Sequence, residues 1–540
     1  DLSLAGFKLG GATFNQGTGF TLTVGASGYT QTGGTFNGSD ATININGATS
    51  ITGGIFKSPS GTAKLNGGNF TITAPATFDA NSGTIEINGV GTIDTEGVSF
   101  YKLSFIAWLK TYNFNNRTFT VLNDLILGNP NQVTNSVIFN NGTIQAKGNI
   151  YVNQTNSSSD GSGGNAVILV NGNSDQTITC YDLNSFLPAL RIQSSGGSVI
   201  FGTYVNIGSM GSYEYLSGNV TTTNSTLLLA NSTTAKPGNI VYNNVTISGW
   251  QINLDLLGGT FIINGNYQQN QPSSTGYTKV NNGTLEVHGN ATAEVLSQGG
   301  TATLHFMGDG KTMTMVGGGS FPNTDIDVGE SGTLTIAGTG GFGYGANGTF
   351  RVLSAASATT TGSSISFNTA SITPGSFAFN NVTMAMWMTY FNIYTNPLKV
   401  NGNLTIGATG IPSQVSSGTI ELLGNFTNVY SLSSGSTATL KMYGCNKSIT
   451  NSSQIKLKHI YIDPGAGCVT TQSGDYATTT GGSVTVNSGE YRMMGYSLTT
   501  DTLLLNSTTL YKGGGALTVS GSTLGVGSLN GGVISNATSP

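Results

Sequence analysis

A seven-residue phrase recurs along this chain and limits what it can fold into: Gly or Ala, Thr, apolar, any, apolar, any, Gly. It reads Ala41-Thr-Ile-Asn-Ile-Asn-Gly47, Gly61-Thr-Ala-Lys-Leu-Asn-Gly67 and Gly83-Thr-Ile-Glu-Ile-Asn-Gly89. Later copies include Gly142–Gly148, Gly259–Gly265, Gly283–Gly289, Ala302–Gly308, Gly418–Gly424 and Ala438–Gly444. In an extended strand successive side chains face opposite sides, so the third and fifth positions point inward and Thr and the variable positions outward. The closing Gly, often beside Asn, supplies the turn. Copies begin at 41, 61 and 83, and again at 418 and 438, a spacing of about 20 residues. That is one coil of a solenoid, a unit that buries its inner face only by stacking on its neighbours. The prediction is an all-β chain, a parallel β-helix of roughly 22 to 26 coils at the inter-strand spacing of a sheet.

Composition agrees. Charged residues make up 8% of the 540, against about 25% in ordinary soluble domains. Low charge with high polarity can mean disorder, but 24 Phe, 21 Tyr and abundant Val, Ile and Thr favour strands.

A longer period encloses the short one. The three tryptophans end related phrases, Phe100–Trp108, Tyr242-Asn-Asn-Val-Thr-Ile-Ser-Gly-Trp250 and Phe379-Asn-Asn-Val-Thr-Met-Ala-Met-Trp387. Ala166, Ala302 and Ala438 open related strands 136 residues apart, twice over. The reading is tandem units of about 137 residues: an N-terminal region 1–165, units 166–301 and 302–437, and an incomplete terminal unit 438–540. Aromatic-rich segments around 103–135 and 375–397 are expected to interrupt the coils. That keeps a string of β-sandwiches open as the alternative. Trp108, Trp250 and Trp387 are read as packing or interface residues, in the core of each unit or at a contact with another subunit.

The order of phrases, carried by Tyr242–Ile247, Phe379–Met384 and Val400-Asn-Gly-Asn-Leu-Thr-Ile406, resembles repeat-rich β-helical surface proteins of bacteria and archaea. The resemblance covers most of the chain on motifs of low complexity. It implies an adhesin-like, sheath-like or surface-layer role, and it carries over no catalytic residues.

Net charge is −4 with no basic stripe, so no nucleic-acid partner is expected, and no apolar run reaches the roughly 20 residues of a transmembrane segment. The first residue is Asp1, which suggests a removed signal peptide. Asn-X-Ser/Thr occurs 20 times, including Asn69, Asn153, Asn231, Asn403 and Asn506, candidates for N-linked glycans on an extracellular or cell-surface protein. Of the three cysteines, Cys445 and Cys468 are 23 residues apart, about one coil, and can form a disulfide or remain buried thiols. Cys180 is left over, free or bridging to another subunit.

Candidate chemistry is sparse. Asp325, Asp327 and Glu330 form the densest acidic cluster, oxygen ligands of the kind that suit Ca²⁺, with a solvated strand end as the plainer reading. His288, His305 and His459 sit at outward strand positions, with no Cys or second His at metal-ligand spacing. Gly310-Lys311-Thr312 lacks the first Gly of a phosphate loop and reads as a turn. No cofactor is implied. The expectation is a secreted, non-enzymatic structural protein that assembles with copies of itself into a fibre, sheath or surface layer. Head-to-tail joining is expected, since neither Asp1–Thr23 nor Gly513–Pro540 reads as a cap. A monomeric glycan-binding adhesin and a β-helix polysaccharide lyase or hydrolase are the alternatives.

Overall fold

The computed structural model describes residues 1–107, 110–129, 137–153, 163–208, 210–230, 232–249, 252–270, 277–387, 389–430, 435–452, 457–506, 508–520 and 533–535. These form strands and turns with no helix, wound as a parallel β-solenoid of about 22 turns, each of about 22 residues. No helix among them is long and apolar enough to cross a membrane. The chain divides into two compact units, Asp1–Asn266 with Thr275–Thr278, and Tyr267–Ser274 with Lys279–Pro540.

The Gly-Thr phrases set the register. Ile43 pairs with Ala63, Ala63 with Ile85 and Ile85 with Leu103, and the flanking Ile45, Leu65, Ile87 and Phe105 align likewise. All of these side chains are buried. In the second unit a seven-stranded sheet runs Ala378–Phe379, Leu398–Val400, Thr419–Leu422, Thr439–Tyr443, His459–Asp463, Ser483–Val486, Thr502–Leu505. Parallel in-register pairing of this kind excludes the sandwich alternative, whose sheets would be antiparallel.

The coil period also runs straight through the two aromatic-rich segments, against expectation. Lys102–Phe105 pairs with Leu125–Leu127, Lys110–Val121 with Val137–Ala146, and Thr389–Ile393 with Ser413–Ser417, all parallel. The extra residues are taken up at corners. Between Asn113 and Arg117 the register shifts where Asn115 and Asn116 adopt left-handed φ of 51° and 59°, a conformation asparagine tolerates.

Inside the first unit, aromatic rings pile up coil on coil. Phe14, Phe36, Phe56 and Phe78 are stacked with centroids 5.5, 5.0 and 5.8 Å apart. Each such pair contributes about 0.5–1.5 kcal/mol beyond the area it buries. Glycine makes the corner before these rings possible. A Cβ on Gly34 (φ 70°) would lie 2.2 Å from the Ala12 carbonyl oxygen, and one on Gly54 (φ 75°) 2.2 Å from that of Gly34. The repeated Gly-Gly-x-Phe at 33–36 and 53–56 was a second coil signature in the sequence.

Polar groups ladder the outside. Asn66 Nδ2 donates to Asn46 Oδ1 at 3.0 Å, and Asn88 Nδ2 to Asn66 Oδ1 at 3.4 Å. The few charges also pair across coils: Lys64–Glu86 at 3.6 Å, Arg191–Glu214 at 2.7 Å and Lys441–Glu421 at 3.7 Å. Exposed as they are, each contributes at most about 1 kcal/mol.

The long repeat is visible as a repeated hydrogen-bond set. Thr222 Oγ1 donates to the Val241 carbonyl, Ser225 Oγ to that of Thr222, and Asn243 Nδ2 to that of Ser225. One repeat later Thr360 bonds Ala378, Ser363 bonds Thr360 and Asn380 bonds Ser363 in the same way.

Candidate functional site

Of the three tryptophans, Trp108 and Trp250 lie outside the described residues, and Trp387 is 65% exposed rather than in the core. It stands on the loop that leaves the strand Asn381–Met384. The loop is held from below. The Met386 amide donates to Ser413 Oγ at 2.9 Å, Ser413 Oγ donates to the Met386 carbonyl at 2.8 Å, and Thr389 Oγ1 donates to the Trp387 carbonyl at 3.3 Å. Thr389 and Ser413 are themselves buried. The backbone beneath the indole is therefore fixed, and the indole is presented to solvent.

Two further aromatics share this corner. Tyr390, 45% exposed, follows Thr389 on the outward side of its strand. Tyr430, 46% exposed, is placed through its carbonyl, which accepts the Ser413 amide at 3.3 Å. Trp387 and Tyr390 thus project from one coil and Tyr430 from the second coil along, with the coil of Ser413 between them. Large amphipathic rings on a fixed backbone lose little conformational freedom on contact, which is why such residues dominate binding surfaces. The Trp phrase pointed to this corner; Tyr390 and Tyr430 carried no signal of their own in the sequence.

The other candidates are dispersed. Asp325 is buried and held by Arg351, whose Nε and Nη2 lie 2.7 and 2.5 Å from its carboxylate oxygens. The Asp325 carboxylate raises the Arg351 pKa above its ordinary value, chiefly through this hydrogen bond. Asp327 accepts the Ser354 hydroxyl and lies 3.5 Å from His305 Nε2, while Glu330 is exposed in the following turn. Among the described residues no group of three or more His, Cys, Asp or Glu is placed to hold a metal ion. The two aspartates serve coil-to-coil contacts. Arg351→Ala is expected to cost about 1–2 kcal/mol, read as a lower denaturation midpoint, because Asp325 keeps its burial and loses its partner. Arg351→Lys should recover only part, for want of the planar two-pronged contact.

Cys445 and Cys468 are joined by a disulfide between adjacent coils, Cα atoms 4.8 Å apart. Cys180 is buried and free, its thiol pushed up to about 12 by that burial, so it is not a ready nucleophile.

Asn69, Asn403 and Asn506 are exposed and Asn153 half-buried; Asn231 lies outside the described residues. In Asn69-Phe-Thr71 and Asn403-Leu-Thr405 the middle residue is buried and Thr faces outward, so part of the sequon abundance follows from the turn–in–out pattern of a coil. Asn403 also carries a rung: its Oδ1 accepts the Asn425 amide at 3.0 Å, as Asn381 Oδ1 accepts that of Asn403 at 2.8 Å. Glycosylation at Nδ2 would leave that acceptor in place.

No protein-family model, no curated protein and no solved structure matches the chain.

Proposed function

We infer that this chain is a secreted or surface-displayed structural protein, non-enzymatic, which associates with copies of itself through the aromatic corner at Trp387. The observation that carries this reading is the indole itself, 65% exposed on a loop clamped by Ser413. An exposed Trp with Tyr390 on its own coil and Tyr430 two coils along is the composition of an interface centre. The surface disulfide Cys445–Cys468 supports an oxidising location, where such bonds persist. Coil-to-coil ladders of amide, hydroxyl and paired charge suit a durable scaffold, in keeping with the fibre, sheath or surface-layer role that the repeat resemblance implies.

Negative-stain imaging and sedimentation of the purified chain test it. The wild type is expected to form ordered assemblies. Trp387→Ala combined with Tyr430→Ala should leave single particles, with stability changed by no more than about 0.5 kcal/mol, as for surface substitutions generally. A wild type that stays monomeric as concentration rises, or a double variant that assembles equally well, overturns the reading.

A further inference from the structure

The outer face of the second unit's seven-stranded sheet carries a feature that self-association does not use. Register places Lys399, Glu421, Lys441, Tyr461 and Thr485 in one row across successive coils, and Thr419, Thr439, His459 and Ser483 in the row beside it. Tyr443 pairs with Asp463 in a third. Between the strands Thr439–Tyr443, His459–Asp463 and Ser483–Val486 lies a shallow open depression of about 390 Å³, lined by Lys441, Tyr443, His459, Tyr461, Ser483 and Thr485. The rings of Tyr443 and Tyr461 stand 6.3 Å apart at 58°, the two aromatic surfaces of this dent.

The polar groups around the rings are already oriented. His459 Nδ1 is 2.9 Å from Ser483 Oγ. Asp463 accepts Tyr461 Oη at 3.4 Å, Asn487 Nδ2 at 3.0 Å and the Ser488 hydroxyl. Lys441 Nζ is 3.7 Å from Glu421, so its charge is compensated within the face. Partial burial and the Lys458 charge lower the His459 pKa, so the imidazole is neutral at pH 7, with both a donor and an acceptor nitrogen. These properties select the occupant. Net charge at the centre is cancelled, which disfavours an acidic polymer or an anionic membrane. The polar lining disfavours an apolar protein face. What remains complementary is a neutral ligand with apolar faces and a belt of hydroxyls, and coils repeating every ~4.8 Å set these polar side chains in rows along which an extended chain of such units can lie.

We propose that this face binds a neutral polysaccharide lying along the coil stack, its sugar rings seated on Tyr443 and Tyr461 and its hydroxyls bonded to Lys441, His459, Ser483 and Thr485. The site is separate from the Trp387 corner, and its failure leaves the assembly reading untouched. Affinity electrophoresis of the full chain through gels containing soluble β-glucan, xylan or mannan, with polygalacturonate as the acidic control, tests it. At least one neutral polymer is expected to retard the wild type, and polygalacturonate to have no effect. Tyr461→Ala and Tyr443→Ala should each raise the apparent Kd about tenfold or more, as loss of a stacked ring does. Tyr461→Phe, which keeps the ring, should bind within about threefold of wild type. Thermal melts of each variant establish that it folds. Retardation by no neutral polymer, retardation only by polygalacturonate, or equal retardation of folded Tyr461→Ala overturns the proposal.

Discussion

Phe139→Ala is expected to destabilise its stretch of solenoid by about 3–5 kcal/mol, the range for emptying a core of a phenylalanine. Phe139 is fully buried, with Phe105, Tyr112 and Phe114 at 5.2, 5.4 and 6.1 Å between ring centroids. Those three rings hang from strands fixed by ladders above and below, so they cannot close the cavity. A solenoid's stability is close to a sum over neighbouring coils, so the loss should be local. Amide exchange should accelerate by about two to four orders of magnitude in Lys110–Val121 and Val137–Ala146. Strands such as Thr419–Leu422, in the other unit, should be unaffected. Equal acceleration everywhere would mean that the coils open together; none would mean that the ring contributes nothing to packing.

Breaking the Cys445–Cys468 bond has the second largest expected effect. It closes a loop over a sequence separation of 23, for which chain entropy gives about 3 kcal/mol. Reduction, or the double change Cys445→Ser with Cys468→Ser, should lower the denaturation midpoint of the adjoining strands Thr439–Tyr443, Lys447–Asn451 and Val469–Ser473. Cys445 is exposed, so a mild reductant should reach the bond without prior unfolding. Alkylation of the native material before any reduction also bears on location: secreted protein should yield no label at either cysteine, and cytosolic protein should yield both.

The solenoid was legible because alternation and coil length are both written into the Gly-Thr phrase: Ile43, Ala63, Ile85 and Leu103 stack as their spacing requires. The segments around 103–135 and 375–397 misled because corners lengthen and the register shifts locally while the strands keep their parallel partners. Asn115 and Asn116 absorb the extra residues, and Tyr112 and Phe114 still point inward. The site was less legible. A loop at a strand's end has no alternation, so nothing fixed whether Trp387 faced in or out. The role of Asp325 was hidden by distance, its partner Arg351 lying a coil away. Tyr443 and Tyr461 meet only because the register sets Lys441 beside Tyr461 and Tyr443 beside Asp463, an alignment with no signature in either strand alone.

The asparagine ladder has a consequence in time rather than in energy. Asn46, Asn66 and Asn88 are each followed by glycine, the neighbour whose unshielded backbone nitrogen most readily attacks the asparagine side chain and converts it to an acid. Each amide tied to the next, at 3.0 and 3.4 Å, is restrained from the rotation that this attack requires. If Asn66 becomes an acid it still accepts from Asn88 but can no longer donate to Asn46, and the Asn46 amide is freed to react in turn. A second acid would then stand ~4.8 Å from the first, repelling it. Chemical ageing of this surface would therefore advance from rung to rung, and the chain's shelf life is set by its first asparagine to let go.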